Sequence, residues 1–235
     1  MTKKSIVIST GAGISAESGI KTFRDQNGLW ENHNIEEIAT PEGFERNPSL
    51  VHQFYNKRRS QLKNVKPNAA HLALAELEKK WNGDFFLITQ NVDDLHHRAG
   101  TKKMFSIHGE LKKARCVDCK VSFSWEDDLG VESECPGCQQ KNCLRPDIVW
   151  FGELPYFMDQ VYEKIADCQL FIAVGTSGNV HPAAAFSQHA INAHKIEVNL
   201  QPSLVAASFD EVIVGPATEK IPELVNAILQ GARQV

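Results

Sequence analysis

At 235 residues with 42% hydrophobic composition, the chain can bury a sizeable core as one large domain or one domain carrying insertions. Its formal net charge of −4 excludes a global attraction to nucleic acid or to an anionic membrane, so an anionic ligand must be met by a local set of donors. No apolar run reaches membrane-spanning length and the N-terminal run is too short for a signal peptide, so the expectation is a cytoplasmic chain whose six cysteines are reduced.

In chain order, "SIVIST" (5–10), "FFLIT" (85–89), "IVWF" (148–151), "LFIAVGT" (170–176), "KIEVNL" (195–200) and "EVIVG" (211–215) have the length and β-branched content of buried strands. Between them, "NAAHLALAELEKKW" (68–81) predicts a helix capped by Asn68 with Leu72, Ala75 and Leu77 on its apolar face. "HPAAAFSQHAINAH" (181–194) and "KIPELVNAILQ" (220–230) read as further helices. Strand and helix alternate, which predicts an α/β, doubly wound, Rossmann-like parallel sheet. Two stretches interrupt it: a helical insertion over 32–66 and a cysteine-bearing insertion over 110–145. The expected organisation is a single catalytic domain. Its large lobe comprises 1–31, 67–109 and 146–235, and the two insertions make a small lobe.

Cys116 and Cys119, then Cys135 and Cys138, form two C-x-x-C knuckles with a fifteen-residue spacer. That is the spacing of a four-thiolate zinc ribbon, closed and therefore structural. Cys143 and Cys168 read as ordinary buried thiols, although Cys143 is near enough in sequence to compete as a ligand. Directly after the first strand, Gly11, Ala12 and Gly13 open a G-x-G-x-x-A turn, a pattern that lets backbone approach a phosphate but that is weak alone. No acid stands where a dehydrogenase would bind the adenosine ribose; Glu36 and Glu37 lie in the wrong kind of segment. Other strand ends carry Gln90, Asn91 and Asp93, then Gly175, Thr176 and Ser177, then Asn199 and Gln201. Such groups suit hydrogen bonding at the carboxyl edge of a parallel sheet, and each alone is equally explained as turn chemistry. His108 in "SIHGEL" is a candidate base, one histidine among nine.

Taken together, "GAGISAESGI", "FR" at Phe23 and Arg24, "TQNVDDLH", "HG", the two knuckles, "VWFGE", "GTS" and "VNLQP" resemble the sirtuin family in order and over nearly the whole chain. Lys21 departs from the proline common in that family's cofactor loop, and Val92 from its usual isoleucine. The resemblance implies NAD consumed as a co-substrate. Gly11, Ala12, Gly13, Ser15, Glu17, Phe23, Arg24, Trp30, Gln90, Asn91, Asp93, Gly175, Thr176, Ser177, Asn199, Gln201 and Ala217 would bind it. His108 would be the general base, with Val149, Phe151, Gly152 and Glu153 along the peptide. The implied reaction attacks C1′ of the nicotinamide ribose with the acyl-lysine carbonyl oxygen, releases nicotinamide and passes the acyl group to ADP-ribose. The implied partners are acyl-lysine proteins or peptides, met by a monomer without membrane or nucleic acid.

In "HQFYNKRRSQ", Tyr55 and Arg58 are three apart and share a helix face. A guanidinium fork beside a phenol can receive a carboxylate. The pair resembles that of the desuccinylase and demalonylase branch, where an alanine at the place of Ala39 makes room for a longer acyl chain. The plain alternative is a solvated basic face. Lys57 and Arg59 are expected to be exposed. The expectation is an NAD-dependent lysine deacylase for acetyl and acidic acyl groups, against two rivals: an NAD-dependent mono-ADP-ribosyltransferase and a noncatalytic zinc-ribbon binding module.

Overall fold

The structure, a computed structural model, describes residues 4–21, 29–30 and 33–233. Phe23 and Arg24 lie outside the described residues, and of Trp30 only its place in a strand is described.

The chain opens with β1 (Ser5–Thr10) and the single turn α1 (Gly13–Ala16), then the two-residue strands β2 (Leu29–Trp30) and β3 (His33–Asn34). Three helices follow: α2 (Ile35–Ile38), α3 (Pro41–Arg46) and α4 (Pro48–Gln61). Each begins on a polar cap, Asn34, Thr40 and Asn47 in turn, whose side-chain oxygen accepts a backbone N–H from Glu36, Gly43 and Leu50, and α3 and α4 carry proline in their first turn. The sheet resumes through α5 (Ala69–Lys80), β4 (Asp84–Thr89), α6 (Leu95–Ala99) and β5 (Met104–Ser106). The second interruption holds β6 (Gly109–Cys116), β7 (Ser122–Ser124) and β8 (Leu144–Ile148). The chain closes with α7 (Met158–Ala166), β9 (Leu170–Val174), α8 (Phe186–His189), β10 (His194–Asn199), β11 (Glu211–Val214) and α9 (Ala217–Leu229).

Six strands pair in parallel in the order β11-β10-β9-β1-β4-β5. The order reverses at β1, so loops leaving β1, β4 and β9 meet at one edge, where open α/β sheets bind ligands. Alternate residues of β1 serve opposite faces. Ile6 and Ile8 pack with Leu74, Leu77, Ile221 and Leu224 of α5 and α9, and Val7 packs with Phe171, Val161 and Phe186 on the side of α7 and α8. All are nearly or wholly buried, and each such side chain contributes about 1.5–3 kcal/mol of transfer free energy.

Three expectations need correction. The "IVWF" run does not join the parallel sheet: Ile148 ends β8, which pairs antiparallel with β6 in a separate three-stranded sheet, and the chain then turns. Leu72 is 53% exposed, because α5 buries Ala70, Ala73, Leu74 and Leu77 instead. The 181–194 helix shrinks to one 3-10 turn and the four residues of α8, since Ala193 N–H closes a turn on Ala190 and β10 begins at His194. β5, not anticipated from sequence, adds the edge strand beside β4. No described helix is long and apolar enough to cross a membrane.

Candidate active site and metal centre

The turn after β1 is held against the turn after β9. Gly11 N–H donates to Val174 O at 3.0 Å and Gly13 N–H to Gly175 O at 2.9 Å. A Cβ on Gly13 would sit 2.6 Å from Gly175 Cα, and one on Gly175, whose φ is +62°, would sit 2.5 Å from Ile14 N. Two backbones touching this closely exclude side chains, so the glycines are required by this approach alone. Thr176 O accepts from Asn199 Nδ2 at 2.7 Å, which ties the β9 turn to the end of β10. Ser177 O accepts from Leu204 N–H, and Ser177 Oγ from Asn179 N–H. Gln90, Thr176 and Ser177 line one narrow cavity. Glu17 accepts from Thr218 N–H at 3.3 Å and from the Thr218 hydroxyl, next to buried Ala217 at the start of α9. Gln201 is exposed beyond β10. The described residues matched to a dinucleotide site therefore line up along the carboxyl edge of the sheet.

Beneath that edge lies a buried polar network. Ser15 Oγ donates to Asp93 Oδ2 at 2.9 Å and accepts from Asn91 Nδ2 at 3.1 Å. Leu95 N–H donates to Asp93 Oδ1 at 3.0 Å. Burial pushes the Asp93 carboxyl above its ordinary range, partly offset by these two donors. His71 approaches Ser15 Oγ at 3.4 Å and Asn68 Oδ1 at 2.9 Å, and His96 approaches Thr10 Oγ1 at 3.0 Å. The two imidazoles pack together, with ring centroids 4.8 Å apart. Sequence reasoning missed His71, His96 and Thr10. The Asn68-to-His71 spacing of a helix-start capping box was the available signal for His71.

His108 follows β5 and precedes β6. Its Nδ1 lies 3.0 Å from Gln90 O. A carbonyl only accepts, so Nδ1 carries the hydrogen and Nε2 holds the basic lone pair. Burial lowers the His108 pKa, with the Gln90 bond opposing. The imidazole is thus neutral at pH 7 and able to take a proton.

Ala39, Tyr55 and Trp150 share one buried cluster with Ile38, Val51 and Phe54. Arg58 is 8% exposed, with its guanidinium 3.3 Å over the Phe54 ring and Nη1 donating to Phe54 O. Tyr55 and Arg58 are therefore not a solvated face. Tyr55 Oη accepts from Trp150 Nε1 at 3.0 Å. Burial, against the Trp150 bond, raises the Tyr55 pKa, so the phenol keeps its proton. Phe151 N–H donates to Ala39 O and Val149 N–H to His108 O, both at 2.9 Å, so the segment from 149 to 151 bridges His108 and Ala39. Gly152 turns there at φ +89°. Glu153 accepts from Arg145 and from Trp150 N–H. Burial raises its carboxyl pKa, but the Arg145 and Trp150 bonds and the Arg145 charge outweigh it and hold it low.

Arg59, expected to be exposed, is buried at 1% while Lys57 is exposed. Arg59 Nε donates to Leu111 O at 2.8 Å, and Nη1 donates to Asn56 Oδ1 at 2.7 Å and Asp127 O at 3.3 Å. Its hydrogen-bond acceptors come from the second insertion as well as from α4, a partnership that a one-dimensional charge run does not reveal.

The four knuckle thiols converge. Their sulfurs lie within 4.8 Å of one another, with Cys116–Cys138 and Cys119–Cys135 each at 3.8 Å. A tetrahedral ion with Zn–S bonds of about 2.3 Å sets its sulfurs about 3.8 Å apart, so the donor set fits zinc. Cys143 Sγ instead donates to Gln140 O at 3.1 Å, though it also falls in a group with Cys116 and Asp118. Cys168 is buried and donates to Ile165 O.

The Sir2 family model matches residues 11–182. The chain belongs to the Sir2 family. A relative from Bdellovibrio bacteriovorus, an NAD-dependent protein deacylase, is 54% identical over 229 residues, 97% of each chain. A Sir2 homologue mutant in complex with ADP-ribose superposes with a TM-score of 0.89 at 36% identity, covering 99% of this chain and 95% of that one. A Sir2 protein bound to a myristoylated histone peptide superposes with a TM-score of 0.74 at 32% identity, covering 98% and 94%. For this Sir2 chain the implied cofactors are NAD and one structural zinc ion, and the glycine approach and the four-sulfur cluster fit them.

Proposed function

We propose that this Sir2 chain, an NAD-dependent protein deacylase, removes both acetyl and acidic acyl groups, succinyl and malonyl, from protein lysines in a reducing cytoplasm, and delivers the acyl group to ADP-ribose. One observation carries the acidic specificity: Tyr55 and Arg58 are buried on one face of α4, in and beside the cluster that holds Ala39 and the 149–153 segment. A buried guanidinium beside a protonated phenol is a receptor for a carboxylate. Ala39 supplies no side-chain bulk against a longer chain.

In this reading NAD supplies the electrophilic ribose carbon and the acceptor hydroxyls. The protein's own groups do the rest. Ser15, Asn91 and Asp93 form a fixed polar network that would face the nicotinamide ribose, the glycines after β1 would meet the pyrophosphate, and the turn after β9 would hold the adenosine half. His108 Nε2 takes the proton from the ribose hydroxyl that receives the acyl group, with its tautomer set by Gln90 O. Positioning of two bound reactants provides much of such a rate enhancement. The 149–153 segment lies along the peptide, and the resemblance of the peptide-bound relative supports acyl-lysine proteins as partners.

The test measures NAD-dependent product formation by mass spectrometry on matched succinyl-lysine and acetyl-lysine peptides, for the intact protein and for Arg58→Met. A lost charge-assisted hydrogen bond is worth about 1.5–3 kcal/mol, so desuccinylation is expected to fall roughly ten- to hundredfold relative to deacetylation. An equal fall in both activities would make Arg58 a support of the fold. Labelling of protein by ADP-ribose without acyl-lysine dependence would favour ADP-ribosyl transfer.

A further inference from the structure

The residue that holds Tyr55 is itself held by a clasp of Arg145 and Glu153. Trp150 is 2% exposed. Its indole donates to Tyr55 Oη at 3.0 Å, and its backbone N–H donates to Glu153 Oε2 at 2.8 Å. The Arg145 guanidinium lies 3.3 Å over the Trp150 ring. Arg145 Nη1 donates to Glu153 Oε1 at 2.7 Å, while Nη2 donates to Glu153 Oε2 at 2.9 Å and to Ile148 O at 2.8 Å. Arg145 thus fixes the ring from above and, through Glu153, the backbone at the same residue.

An indole N–H can only donate. The Tyr55 oxygen must therefore accept on the Trp150 side, and the phenol's own proton is turned away from the indole. Loss of the indole donor would remove a contact that orients the hydroxyl.

We infer that Trp150 is a positioning residue for acyl-group choice: its indole N–H sets the direction in which Tyr55 offers its hydroxyl proton to a substrate carboxylate, and the Arg145–Glu153 clasp sets the indole. This rests on the reading of Tyr55 and Arg58 as the carboxylate receptor. Trp150 acts through Tyr55 and touches no reacting atom.

The experiment is a double-mutant cycle read as steady-state KM and kcat on succinyl-lysine and acetyl-lysine peptides. It uses the full-length zinc-loaded protein, Trp150→Phe, Tyr55→Phe and the pair together. Because Trp150→Phe also removes ring volume, a second variant places benzothienylalanine at 150, which replaces the indole N–H with sulfur and keeps the ring. Removing a neutral buried hydrogen bond is expected to raise KM for the succinyl peptide about three- to tenfold relative to the acetyl peptide, with kcat within about twofold. In the Tyr55→Phe background the same change at 150 is expected to add nothing further.

If Tyr55→Phe shifts the succinyl-to-acetyl ratio but the sulfur analogue at 150 does not, the positioning role is wrong and the receptor stands. Independent, multiplying losses in the pair would also overturn it, since a packing role does not require the Tyr55 hydroxyl. If the intact protein leaves succinyl-lysine untouched, or Tyr55→Phe leaves the ratio unchanged, the receptor itself falls, and the role of Trp150 falls with it.

Discussion

His108 keeps its hydrogen on Nδ1 because the Gln90 carbonyl 3.0 Å away accepts it, and burial holds its pKa below the ordinary histidine value. A base with a lowered pKa is protonated, and idle, only at acid pH. kcat/KM should therefore rise with pH through a limb centred below about 6.5 and run flat from there to neutrality. His108→Ala should lower kcat by about a hundred- to ten-thousandfold and abolish the limb. A limb centred above 6.5 in the intact protein would assign the base to another group. At this scale the sequence was informative where a residue type carries its chemistry with it. The glycines and the four thiols were legible, since a close backbone approach and a four-sulfur cluster each admit few substitutes. Arg59 was not: Arg58 and Arg59 are adjacent in the chain, and only the three-dimensional partners of Arg59 show that both are buried. Trp150 read as one more apolar residue of a strand, because its donor matters only once Tyr55 is opposite.

At the scale of elements, the second insertion shows what the metal has to do. Its small core is Ala114, Cys116, Leu129, Cys135, Cys143 and Leu144, half of it thiols. So little apolar area leaves the metal to supply much of the folding free energy. The purified protein should contain one zinc per chain. Cys135→Ser should lose it, and hydrogen exchange should then accelerate across β6, β7 and β8 while β1 and β4 stay protected. Equal acceleration in the parallel sheet would mean that the insertion is not a separate unit of stability. The inner strands β1, β4, β9 and β10 were legible because apolar runs buried on both faces have no other stable place, whereas the edge strand β11 leaves Val212 and Val214 exposed. The 148–151 run misled for the same reason: its burial is real, with Ile148 and Trp150 nearly inaccessible, but it comes from helices α2 and α4 and not from the sheet. Apolar content reports that a segment is covered, without saying by what.

For the molecule as a whole, buried histidines such as His52 and His71 couple stability to pH. Burial lowers His52 to about 4, with the Arg59 charge adding to the effect, and burial alone lowers His71 to about 4. Both titrate near 6.5 when the chain unfolds. Between those values the unfolded chain binds more protons than the folded one, so stability rises with pH there. The contribution is complete above about 6.5 and is lost as pH falls toward 4. Tm should hold near neutrality and drop across that window, and His52→Phe should make the drop shallower. A Tm profile with the same slope in the variant would remove His52 from the effect.

The fold also sets which lengths of this chain are free to change. The second insertion is anchored at its thiol end and again at Asp127 and Leu129, where Asn56 of α4 both donates to Leu129 O and accepts from Leu129 N–H, and Arg59 donates to Asp127 O. Between those anchors, Glu132 lies in an exposed surface turn. Extra residues there would lengthen a loop at the cost of closure entropy alone. A single residue added at 127–129 would instead slide the chain past α4 and move the helix that carries Tyr55 and Arg58. Two side chains, Asn56 and Arg59, thereby let loop length vary without displacing α4.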